Sequence, residues 1–198
     1  MLKEALYDWF GLNQSLFLLI NGVHNAFVDP FMLTGTALAD YRNMPVILML
    51  LAGLVWWGHR RAQPATVQSG LRLLVLALAS YGVAVLLTAG AKYLFDFPRP
   101  LVVLHDHVVV LGEEKILRSF PSGHAMFSML VAALFWHGAN LPGRIALALF
   151  VLWAGMSRLV VGAHFPADVL AGYAVGLASV PVARLVLAHT AALLRQRA

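Results

Sequence analysis

Hydrophobic and polar positions alternate along this chain in blocks rather than residue by residue. Five apolar runs stand out, at 44–57, 71–94, 123–136, 145–161 and 167–187. Each is long enough to predict a helix, and such runs, near the roughly 20 apolar residues that cross a bilayer, predict membrane spans. The first ends on Trp56 and Trp57 followed by His59, Arg60 and Arg61, an aromatic-then-basic border typical of a headgroup zone. Between runs, 63–70 reads as a polar loop. The stretch 95–121 is the longest polar interruption, and Asn140-Leu141-Pro142-Gly143-Arg144 reads as a tight turn. A basic tail closes the chain at 193–198.

The N-terminal part has a different texture. Apolar stretches at 15–20 and 31–39 flank Asn21, His24, Asn25, Asp29 and Pro30. That polar group is costly at the centre of a bilayer, so 12–41 is expected as a helix pair lying in the interface. A kinked sixth crossing is the alternative. Lys3 and Glu4 are not followed by an uninterrupted apolar core and cleavage site, so no signal peptide is expected. The expected fold is all-α, a polytopic transmembrane bundle of five spans plus N-terminal interfacial helices, with 1–198 as a single domain.

Composition sharpens this. Of 198 residues, 61% are hydrophobic and 12% charged, against about 25% charged in soluble domains. Mean hydropathy is +0.79. Disordered and collagen-like chains are excluded, as are most soluble domains. The absence of cysteine removes disulfide and thiolate chemistry and cysteine-ligated metals. The net charge of +5 reads as positive-inside loops and attraction to anionic lipid, not as nucleic-acid binding. Arg60, Arg61, Arg72, Arg144, Arg195 and Arg197 share one side of five alternating spans, taken as cytoplasmic. Lys92, Arg99, Lys115, Arg118 and Arg158 then fall on the outer side. Insertion rules do not call for cations there, so some are expected to have a chemical task.

Three segments meet at that outer side. They are Lys92-Tyr-Leu-Phe-Asp-Phe-Pro-Arg99-Pro100, Ser119-Phe-Pro121-Ser122-Gly123-His124, and Ser157-Arg158 followed by His164 and Asp168. Lys92, Arg99 and Arg158 suit a phosphoryl group by charge and forked donors. Ser122 and Gly123 lie where a loop enters a helix, whose N–H groups bind anions. Two histidines permit one to attack phosphorus and the other to protonate the departing oxygen. Asp168, four residues beyond His164, shares its face on a helix and can fix its tautomer. Each element alone has a plainer reading: a snorkelling anchor for Lys92, helix stops for Pro98 and Pro100, a turn for Pro121-Ser122-Gly123. Eight to ten positions at set spacings, each with about one chance in twenty, make joint coincidence untenable. His105-x-His107 lacks a third ligand at suitable spacing, so no metal site is expected. His137 is read as an ordinary interfacial histidine.

The ordered triple Lys-x6-Arg-Pro, Pro-Ser-Gly-His and Ser-Arg-x5-His-x3-Asp resembles the signature of the type 2 phosphatidic acid phosphatase (PAP2) superfamily. It is matched by Lys92, Arg99, Pro100, by Pro121, Ser122, Gly123, His124, and by Ser157, Arg158, His164, Asp168. The resemblance implies a core shared with vanadium haloperoxidases. It also implies His164 as nucleophile forming a phosphohistidine, Asp168 as its orienting carboxylate, and His124 as general acid and then base. Lys92, Arg99, Ser122, Gly123 and Arg158 would hold the phosphate, with no metal or other cofactor. The implied substrate is a membrane lipid phosphate or diphosphate: polyprenyl diphosphate, phosphatidylglycerol phosphate or phosphatidate. It would be reached from the periplasmic or exterior face of a bacterial cytoplasmic membrane. The small size resembles that of small bacterial members. Lipid A phosphatase and lipid phosphotransferase are the enzymatic alternatives. An anion transporter is a remote one, since no internal repeat or midplane charge is seen. A helix-packing role through Gly172-x3-Gly176 leaves the signature unexplained.

Overall fold

A computed structural model describes residues 7–114 and 116–197. Lys3, Glu4, Lys115 and Ala198 lie outside the described residues. A short 3-10 turn, Trp9–Gly11, leads into α1 (Leu12–Asn21), and α2 (Val28–Leu38) follows. A second 3-10 turn, Tyr41–Asn43, opens α3 (Met44–Arg60). Next come α4 (Pro64–Phe95), the one-turn α5 (Pro100–Leu104) and the 3-10 turn His105–His107. The bundle closes with α6 (Gly123–Phe135), α7 (Leu141–Val160) and α8 (Pro166–Arg197). The architecture is all-helical, as the pattern predicted.

Helix borders differ from the sequence reading for local reasons. The polar stretch 63–70 is not a loop: Pro64 occupies the first turn of α4, where its missing N–H costs nothing. Asn140 caps α7, its side chain accepting from Gly143 N at 3.0 Å, so the expected turn is a helix start. The basic tail continues α8 to Arg197.

Among the described residues three helical stretches are long and apolar enough to cross a membrane: Pro64–His107, Leu141–Val160 and Pro166–Gln196. A fourth arises if α2 and the stretch through α3 act together across a 48° bend. In that case the segment 31–39 and the first run form one broken span. At the bend, Asp40 accepts from Arg42 N at 2.9 Å, and the Asn43 side chain donates to the carbonyls of Ala37 and Leu38. Those bonds satisfy backbone groups that the break would orphan. The third run, α6, has only 13 residues, short of the about 20 that span.

That short helix is the centre of the bundle. α6 packs most extensively on α8, then on α7 and α4. Ala125, Met126, Phe127, Leu130, Ala132 and Leu134 are all buried, as in a helix apolar all round. Gly172 and Gly176 make the approach of α8 possible. A Cβ on Gly172 would sit 2.5 Å from Ser122 O and 2.9 Å from the Ala125 Cβ. One on Gly176 would collide with Met126 O and lie 2.9 Å from Leu130 N. Both neighbours are backbone, so neither can step aside. The small-x3-small pattern is the seam between α6 and α8.

Gly176→Val is expected to cost about 1–3 kcal/mol by overpacking and to lower Tm in detergent. An unchanged Tm would show that the seam tolerates separation.

Candidate active site

The turn between α7 and α8 carries His164 and delivers it to the first turn of α8. His164 Nδ1 lies 3.3 Å from Asp168 Oδ2, one helical turn on. Both side chains are buried, with 3% and 0% exposure. The carboxylate is a pure acceptor here, so the geometry assigns the imidazole proton to Nδ1. That leaves the Nε2 lone pair facing the Arg99 guanidinium, with Nη1 at 3.4 Å. Burial holds His164 well below the ordinary histidine range, and the charges of Arg99, Arg158 and Lys92 push the same way. The ring is neutral at rest, the form a nucleophile needs.

Asp168 is held by more than His164. Ser119 Oγ donates to Oδ2 at 2.5 Å, Phe165 N donates to Oδ2 at 2.9 Å, and Tyr7 Oη donates to Oδ1 at 2.7 Å. Ser119 Oγ also lies 3.4 Å from His164 Nδ1. Tyr7 stacks on Phe97, with centroids 3.9 Å apart, and meets Phe120 and Phe165 edge-on. Burial, followed by the charge of Asp168, pushes the Tyr7 phenol well up, so it stays a donor. Asn13 fixes this corner further, donating to Tyr7 O and accepting from Ala167 N.

Three cations converge from three helical ends. Arg99 precedes α5, and its Nε and Nη1 donate to the carbonyls of Leu117 (2.9 Å) and Ala163 (2.8 Å). Lys92, in the last turn of α4, donates to Arg118 O at 2.8 Å. Arg158, in the last turn of α7, donates from Nη1 to Thr36 Oγ1 at 2.9 Å. Its buried Nε has no hydrogen-bond partner among the described residues. A cavity of about 240 Å³ collects these groups. Lys92, Arg99, Gly123, His124, Arg158 and His164 line it, with Val85, Ala89 and Met126 on its apolar side and Tyr41 and Thr88 beside them. His124 sits in the first turn of α6, so the positive end of that helix adds to the field. The His124 Nε2 lies 4.0 Å from Asp40 Oδ2.

Six of the eight residues singled out in sequence thus share one cavity. Asp168 and Ser122 stand behind it. The Ser122 hydroxyl accepts from Ala125 N as the cap of α6, and its N–H donates to Asp168 O at 2.9 Å. Ser122 therefore joins the two halves of the site. Among the described residues no three His, Asp or Glu side chains gather as a metal site. The sequence reading missed Tyr7, Asp40 and the role of Ser119. No spacing rule links Tyr7 to a carboxylate 161 positions away. Ser119 stood inside a quoted segment and carried the signal without a role.

An all-helical bundle with a cationic, histidine-lined cavity at its helix ends is the arrangement of a multi-pass membrane phosphatase. The family model described as "PAP2 superfamily" matches residues 73–190, and the chain belongs to that superfamily. The chain is 29% identical over 175 residues to the putative undecaprenyl-diphosphatase YbjG of Escherichia coli, covering 84% of this chain and 78% of that protein. It is 48% identical over 60 residues to a lipid A 1-phosphatase of Rhizobium etli, covering 29% of this chain and 25% of that protein. The crystal structure of Aquifex aeolicus LpxE superposes with a TM-score of 0.73 at 26% identity, covering 87% of this chain and 94% of that one.

Tyr7→Phe removes one donor from Asp168 while keeping the ring stack. A hydrogen bond to a charged group is worth about 1.5–3 kcal/mol, so kcat is expected to fall about tenfold or more with KM little changed. Steady-state kinetics check this, and an unaltered kcat would show that the remaining donors suffice.

Proposed function

We propose that this phosphatase hydrolyses a phosphomonoester or diphosphate of a membrane lipid through a phosphohistidine on His164, with residues 1–198 acting as one domain. The observation that carries the reading is the convergence of Lys92, Arg99 and Arg158 with His164 Nε2 and His124 on one cavity. The field there favours an anion, and the orphaned Arg158 Nε is a buried donor that a phosphate oxygen would satisfy.

In the first step Nε2 of His164 attacks phosphorus. The P–N bond forms as the P–O bond to the lipid breaks, and His124 gives its proton to the departing oxygen. Asp168 stabilises the ring as it becomes cationic. In the second step His124 takes a proton from water, whose oxygen attacks phosphorus and releases His164. Lys92, Arg99 and Arg158 stabilise the equatorial oxygens in both transition states, as fixed cations do elsewhere in phosphoryl transfer.

A polyprenyl diphosphate is the first substrate to test, because the likeness to YbjG runs along most of the chain. Lipid A is the second, on the shorter but closer likeness to the Rhizobium protein. Purified protein should release phosphate from one or more of undecaprenyl diphosphate, phosphatidylglycerol phosphate, phosphatidate and lipid A. His164→Ala should lose at least about 99% of that activity, and EDTA should leave it intact. A His164→Ala protein retaining a tenth of the rate would overturn the mechanism. Loss in EDTA restored by magnesium would overturn the role given to the cations.

The site is read as facing the periplasm or exterior of a bacterial cytoplasmic membrane, with the C-terminus cytoplasmic. The support is the basic side formed by Arg60, Arg61, Arg72, Arg144, Arg195 and Arg197. An impermeant thiol reagent should label Asp106→Cys from outside intact cells, and labelling only after lysis would reverse the orientation.

A further inference from the structure

His164 has a carboxylate that three further donors hold, and the second histidine of the mechanism lines the same cavity among cations. Lys92, Arg99 and Arg158 line the same cavity as His124. They attract phosphate, but they also oppose a positive charge on the imidazole that must hold the proton for the leaving group. The α2–α3 bend brings a carboxylate beside His124, outside the residues that line the cavity. Asp40 Oδ2 is 4.0 Å from His124 Nε2, and the two side chains are 16% and 12% exposed.

Asp40 is held in place by its own turn. It caps the turn Tyr41–Asn43, with Oδ1 accepting from Arg42 N at 2.9 Å. The Arg42 side chain grips both carboxylate oxygens, Nη2 to Oδ2 at 2.6 Å and Nε to each at 3.0 Å. That turn is tied to the bundle by Tyr81, whose hydroxyl donates to Tyr41 O at 3.2 Å. The Tyr41 ring meets the His124 ring edge-on, at 6.2 Å between centroids and 81° between planes. Arg42 is 74% exposed and Asp40 16% exposed, and their charge-assisted contact keeps the carboxylate ionised beside His124. At 4.0 Å the contact with His124 is electrostatic, beyond hydrogen-bond length.

We infer that Asp40 is a positioning residue for the general acid: it offsets the cationic wall and holds His124 charged and oriented toward the departing oxygen. The site then contains two histidine–carboxylate pairs. Asp168 serves the nucleophile and Asp40 serves the acid, supplied by a part of the chain outside the three signature segments. This rests on the phosphatase mechanism proposed above. Asp40 exchanges no proton itself; the proton still passes from His124 to the alcohol oxygen as the P–O bond breaks.

The dependence on leaving group separates this role from a structural one. An alkoxide leaves only with a proton, whereas a nitrophenolate leaves without one. The test compares kcat/KM, which reports the first step, for a long-chain alkyl phosphate and a long-chain nitrophenyl phosphate in the same detergent micelles. Asp40→Asn keeps an acceptor for Arg42 N and so preserves the turn. It is expected to lower kcat/KM about tenfold or more on the alkyl substrate and about threefold or less on the aryl one. An equal fall on both substrates, or no fall on either, would overturn the inference. Wild-type protein inactive on both would overturn the phosphatase reading itself, and the inference with it.

Discussion

A carboxylate with no exposed surface, Asp168, is the constraint around which this structure is arranged. Burying an ionised group without partners costs several kcal/mol or more. Both side-chain oxygens of Asp168 are therefore met by donors: Oδ1 by Tyr7, and Oδ2 by Ser119, the N–H of Phe165 and the imidazole of His164. Its carbonyl meets the N–H of Ser122. These partners come from the N-terminal turn, the loop before α6, the α7–α8 turn and the cap of α6. One residue thus fixes how the N-terminal turn, the 119–122 segment and the α7–α8 turn meet, and removing any donor leaves part of a charge unsatisfied.

The same logic explains where the cations are tolerated. Arg99 and Arg158 are 7% and 6% exposed. Lys92 and Arg99 donate to carbonyls that turns leave available, and Arg158 donates to the side-chain hydroxyl of Thr36 on α2. Helix termini supply unpaired carbonyls, so a membrane bundle can hold basic groups there more cheaply than at mid-helix. The glycine seam makes this precise placement of charge durable, since α8 carries Asp168 and can approach α6 only at Gly172 and Gly176.

How much of this was legible in sequence depended on the kind of signal. Apolar blocks disclosed the all-helical class because burial in lipid or protein requires them throughout a helix. The three polar segments disclosed most of the cavity, because chemistry at a bilayer surface needs residue types that insertion does not. Residues acting through long-range pairing were not legible. Tyr7 looks like any aromatic near an N-terminus, and Asp40 like a loop charge at the end of an apolar stretch. Asn21 was read as a polar group to be kept out of lipid. It is buried, pinning the backbone of Val109, Leu159 and Val160 through its amide. The α2–α3 bend was hidden for a related reason: hydropathy reports composition along the chain, not where backbone groups find partners after a break.

One helix carries an uneven relation to its solvent. α6 has 13 residues and is about 20 Å long at 1.5 Å per residue, against a hydrocarbon layer of about 30 Å. α4 and α8, with 32 residues each, reach about 48 Å. In a thicker or thinner membrane the long helices adjust by tilting, while α6, clamped between them, has no length of its own to adjust. Since His124 rides on α6 and Asp168 on α8, any tilt of α8 against α6 would move one histidine relative to the other, and the close seam at Gly172 and Gly176 is what resists it.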